Sequence, residues 1–103
     1  MIVALVPDLM DRSRLGADDR VRFVRTVGEV VEISPAVAFV DLARFDADDV
    51  ARVVAAADVV VGFGPHVDDE RLELALGAGC DEALPRSVFF RRFGDLLDRY
   101  EAR

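Results

Sequence analysis

Several short apolar runs in this chain stop at residues able to do chemistry. Ala36–Val40 stops at Asp41, Ile2–Val6 leads into Pro7 and Asp8, Val59–Val61 into Gly62, and Ala83-Leu84 into Pro85 and Arg86. Open α/β sheets gather their functional groups beyond the carboxyl ends of the strands, so the ends at Asp41, Asp8 and Gly62 are expected to share one cleft. Asp41 offers a carboxylate nucleophile. Asp8 offers a second carboxylate. Arg86 brings a guanidinium that prefers bidentate anion contacts, and the backbone at Gly62 brings N–H donors.

The elements that must position these residues alternate from end to end. Ile2–Val6 and Ala36–Val40 are fully apolar and Val59–Val61 is a third such run, the pattern of strands covered on both faces. Val21–Thr26 alternates, which suits a half-exposed edge strand. Leu9–Leu15 reads as a short helix capped by Asp8 or Asp11, and Gly28–Ile33 as a helical turn closed by Ser34-Pro35. Asp46 caps a helix over Ala47–Ala57, with Asp49 at N3 completing a capping box; Val50, Val53, Val54 and Ala57 form its inner face. Gly62-Phe63-Gly64-Pro65 is expected to break the third buried strand. Asp68, Asp69 and Glu70 load the next helix start with acid, its stripe is Leu72, Ala75 and Leu76, and Ala78-Gly79-Cys80 ends it. Ser87 is expected to cap a last helix carrying Phe89, Phe90, Phe93, Leu96, Leu97 and Tyr100. Right-handed crossovers then predict a single domain over 1–103: a doubly wound, five-stranded parallel sheet of flavodoxin-like order 2-1-3-4-5 with helices on both faces.

The whole chain sets the bounds. Its 103 residues are 52% hydrophobic, enough for a core without disulfide or metal staples. A net charge of −7 and a pI of about 4.6 argue against a nucleic-acid partner and against an anionic membrane surface. All 13 basic residues are arginine, which removes lysine chemistry. Cys80 is the lone cysteine and reads as a packed small residue in a reducing cytoplasm. Gly62 and Gly64 give no GxGxxG fingerprint, and His66 reads as a surface-loop residue without a second ligand nearby. The arginines at 12, 14, 20, 22 and 25 are interleaved with aspartates and read as solvated faces.

Three segments resemble one family, the receiver domain of bacterial two-component response regulators (CheY-like). Phe39-Val40-Asp41-Leu42 resembles its phospho-acceptor strand, Val6-Pro7-Asp8-Leu9 its acidic-pair segment, and Ala78-Gly79-Cys80-Asp81-Glu82-Ala83-Leu84-Pro85-Arg86 the stretch leading into its last strand. The resemblance spans essentially the whole chain and rests on order and spacing. It implies a phospho-acceptor at Asp41, Mg²⁺ at Asp8 and Asp41, and anion contacts from Arg86 and Gly62. The departures are Pro7 in one acidic position, Gly62 at the hydroxyl position, Arg86-Ser87 for a Lys-Pro pair, and Ala83 where many receivers carry an aromatic switch residue.

The chain therefore resembles a degenerate, or pseudo-, receiver. The expectation is a cytoplasmic signalling module that is not an enzyme and binds a protein partner, or a second copy, through the fourth and fifth helices and the strand between them. Phosphorylation of Asp41 comes second. Two other classes remain open at this stage: a small-molecule or nucleotide binder using the cleft near Asp8, Asp41 and Gly62–His66, and a small hydrolase or phosphatase with Asp41 as nucleophile, against which the missing lysine and second acid argue.

Overall fold

Val, Ile, Leu and Phe fill the three central strands because helices cover both of their faces. β1 (Ile2–Leu5), β3 (Val37–Asp41) and β4 (Val59–Gly64) are buried at every position. β2 (Val21–Val24) and β5 (Glu82–Pro85) are the edges and are only partly covered. The computed structural model describes residues 1–65 and 69–101; His66 and Asp68 lie outside the described residues. The five strands pair in parallel in the order β2-β1-β3-β4-β5, the expected flavodoxin-like winding.

Alternation along each strand sorts the core into two layers. Val37, Phe39, Val61 and Phe63 face α1 (Leu9–Leu15) and α5 (Arg86–Tyr100). There Phe63 stacks on Phe89 with ring centres 4.2 Å apart, and Phe39 meets Phe93 edge-on at 5.3 Å. Ala38, Val40 and Val60 face α2 (Val27–Ile33), α3 (Ala47–Ala56) and α4 (Asp69–Gly77), which bring valines, Leu72 and Ala75.

Local signals account for most helix ends. Asp8 caps α1, accepting the Met10 and Asp11 N–H groups. Thr26 caps α2, and Asp46 with Asp49 forms the predicted box on α3. On α3 the buried positions are Val50 and Val53, while Val54 and Ala57 are only partly covered.

Four expectations are corrected. The strand does not break at Gly62: β4 runs on to Gly64, its last residues in register with Val40 and Asp41 on one side and with Ala83 to Pro85 on the other. The glycine has a steric reason, since a Cβ at Gly62 would lie 2.9–3.0 Å from the Leu42 side chain. Ser87 does not cap α5; the helix starts at Arg86, directly after Pro85, without a side-chain cap. The last strand is Glu82–Pro85, longer than Ala83-Leu84. Leu76 is 48% exposed, because the sheet ends at β5 and only Leu72 and Ala75 of α4 reach the core.

Candidate functional site

The carboxyl ends of β1 and β3 lie side by side at the point where the strand order reverses, and the site forms there. Asp8 follows β1. Its Oδ1 accepts the N–H groups of Met10 and Asp11 at 2.9 and 3.0 Å, and its Oδ2 accepts from Arg44 at 3.1 Å. The Asp11 N–H above all holds the Asp8 carboxyl below the usual carboxylate range. Asp41 ends β3 and is 1% exposed. Its Oδ1 accepts the Ala43 N–H at 3.0 Å. Burial pushes its carboxyl upward, against smaller opposing pulls from that N–H and from the charge of Arg86.

Arg86 does not pair with Asp41. It grips Asp11 through both oxygens, Nη2 to Oδ1 at 2.6 Å and Nη1 to Oδ2 at 3.1 Å. Asp11 is buried on the inner side of α1. That pair makes the Arg86 proton still harder to remove. The same guanidinium lies 5.7 Å from the Phe63 ring centre and 5.1 Å from that of Phe90. A flat cation is thus clamped between a carboxylate and two aromatic rings, within electrostatic reach of Asp41 and Asp8.

Three predicted residues, Asp8, Asp41 and Arg86, come together; Gly62 does not join them. The residue in register with Asp41 is Phe63, so the slot beside the aspartate holds a ring stacked in the core. Gly62 sits one position earlier, inside the ladder and pointing to the opposite layer against Leu42. It is not the open strand end that an anion site would need. Asp11, Arg44 and Phe63 were not anticipated. The Asp8-to-Asp11 spacing, a cap and the third residue of its helix, was the one available signal for Asp11. The cleft extending to His66 lies partly outside the described residues.

The carboxylates near the expected Mg²⁺ position are engaged by other groups. The Asp11 oxygens both face a guanidinium, Asp8 is engaged by two backbone N–H groups and Arg44, and a fixed positive charge stands among the carboxylates. Among the described residues no three His, Cys, Asp or Glu side chains gather as metal ligands. Cys80 is buried, and that burial first, then the charge of Asp81, pushes its thiol up to about 11. Among the described residues no helix is long and apolar enough to cross a membrane.

No family model matches the sequence, and no curated protein matches it significantly. Among solved structures, the chain is similar to a crystal structure from Sinorhizobium meliloti 1021 assigned as the CpaE2 pilus assembly protein, with a TM-score of 0.67 and 17% identity. The match covers 95% of this chain and 97% of the other. At that identity the likeness is one of fold, and the shared architecture is the flavodoxin-like α/β winding described above.

Proposed function

We propose that this chain is a receiver-like protein-interaction module whose phospho-acceptor site is closed. The observation that carries the reading is the bidentate Arg86–Asp11 pair beside Asp41. A receiver-type acceptor needs a reachable carboxylate, a cation cradle and donors for phosphoryl oxygens. Here the carboxylate is buried, the neighbouring acid Asp11 is bound to Arg86, and a phenyl ring fills the slot beside Asp41. The module is not an enzyme in this reading; it acts in the cytoplasm by contact with another protein. The face we assign to that contact is built by α4, the half-covered edge β5 and α5, where Leu76 stands exposed.

The test is an amide NMR titration with Mg²⁺ followed by beryllofluoride, a mimic of aspartyl-phosphate. The expected result is no saturating shift around Asp8, Asp11, Asp41 and Phe63. Saturating shifts at those residues that vanish in Asp41→Asn overturn the closed-site reading and restore Asp41 as acceptor.

A further inference from the structure

We infer that copies of this chain associate head to tail, α1 of one molecule seating in the groove between α3 and α4 of the next. α1 is a seven-residue helix that buries Asp11 and Leu15 and turns Leu9 and Met10 outward, 67% and 78% exposed. Single exposed apolar residues need no explanation, but two bulky neighbours on so short a helix make a knob. The groove is a hollow of about 320 Å³ floored by Leu42, Phe45, Val50 and Ala75, with Leu74 on its wall. At about 30 Å³ per water it has room for roughly ten waters, or for the knob side chains instead. Leu74 is 59% exposed and sits on the opposite flank of α4 from Leu76, so this surface is distinct from the α4–β5–α5 face.

The charges around knob and groove are complementary. Arg12 and Arg14 follow the knob on α1, the acid of α1, Asp11, is neutralised by Arg86, and of the two acids lining the hollow beside Leu9, Asp18 is bound by Arg20 while Asp19 is exposed. The groove carries Asp46, Glu70 and Arg71 in its lining, Arg71 donating to the Leu42 carbonyl, with Asp48, Asp49, Asp69 and Glu73 on the same two helices against Arg52. In a chain of net charge −7, a basic knob and an acidic groove favour a second copy as the occupant. The two surfaces lie on opposite faces of the sheet, so they cannot meet within one molecule. A contact between them is heterologous, leaving a free knob at one end and a free groove at the other. One short helix makes a small interface, so the association is weak.

Sedimentation velocity tests this, run up to about 1 mM protein, where a contact with Kd near that value is half formed. Wild type should sediment faster as concentration rises, and added salt should reverse the trend. Met10→Glu and Leu74→Glu should each stay monomeric, circular dichroism confirming that both remain folded; Leu9→Glu and Glu70→Arg serve as second variants if either does not. An equimolar mixture of Met10→Glu and Leu74→Glu should give a dimer and nothing larger, because only one intact knob and one intact groove can meet. A wild type that is monomeric throughout overturns the proposal. So does a variant that assembles like wild type, or a mixture that stays monomeric while wild type associates, the sign of a two-fold contact elsewhere.

Discussion

Arg86 and Asp11 are each other's condition for being where they are. Removing one partner of a buried pair leaves the other desolvated and unmatched. Arg86→Ala should therefore cost about 2–3 kcal/mol in urea denaturation, less than the full penalty for a buried pair because the guanidinium is 30% exposed. Replacing both, Asp11→Leu with Arg86→Met, should recover most of that loss, since an apolar pair of similar size avoids the desolvation altogether. Asp41 and Asp18 titrate with opposite consequences. Burial raises Asp41, so the folded state holds its proton more tightly than the unfolded chain. Its contribution is whole below the unfolded value and is lost as pH rises through the folded one. Wild type should lose stability relative to Asp41→Asn as pH climbs from about 4. Asp18 is lowered to about 2, first by its hydrogen bond from the Arg20 side chain. Its contribution is present above the ordinary carboxylate range and disappears as pH falls, so the gap between wild type and Asp18→Asn should close between about pH 4 and pH 2. Thermal melts across pH measure both slopes.

At the scale of elements, β4 shows where a sequence reading succeeds and where it stops. The apolar runs of β1, β3 and β4 were legible because burial on both faces leaves no polar positions to blur the pattern. The capping box on α3 was legible because both of its bonds are local. Gly62 was misread because a glycine after three valines looks like a break, whereas its cause is Leu42, which follows the neighbouring strand and crosses over β4. The Arg86–Asp11 pair was invisible for the same reason: its partners are 75 residues apart, and nothing local marks a helical aspartate as buried. A substitution separates these causes. Gly62→Ser should lose about 1–3 kcal/mol, because its Cβ overlaps a buried side chain that has little room to move. Leu42→Ala should relieve part of that loss in the double variant, a coupling readable as a double-mutant cycle by chemical denaturation. If the two effects simply add, the steric account of Gly62 is wrong.

Over the whole molecule the two layers differ in kind. The layer under α1 and α5 is built on phenyl rings, the other on valine, leucine and alanine. Phe89 touches the rings of Phe39, Phe63, Phe90 and Phe93 and is fully buried. Phe89→Ala should cost about 3–5 kcal/mol, a large share of the 5–15 kcal/mol that holds a domain folded. A loss of near-ultraviolet ellipticity with far-ultraviolet signal retained would show packing failing before the sheet does. At the far edge of that layer, β5 passes into α5 with no intervening loop: Pro85 ends the strand and Arg86 begins the helix. The ring of Pro85 fixes one of the joint's torsions, and the stacked phenylalanines hold the helix against the sheet. Strand, helix and guanidinium are thus joined without a loop, with Arg86 within electrostatic reach of Asp41. On the closed-site reading proposed above, a protein that grips the β5 edge and displaces it would find no slack to absorb the motion, and the end that would have to move carries Arg86.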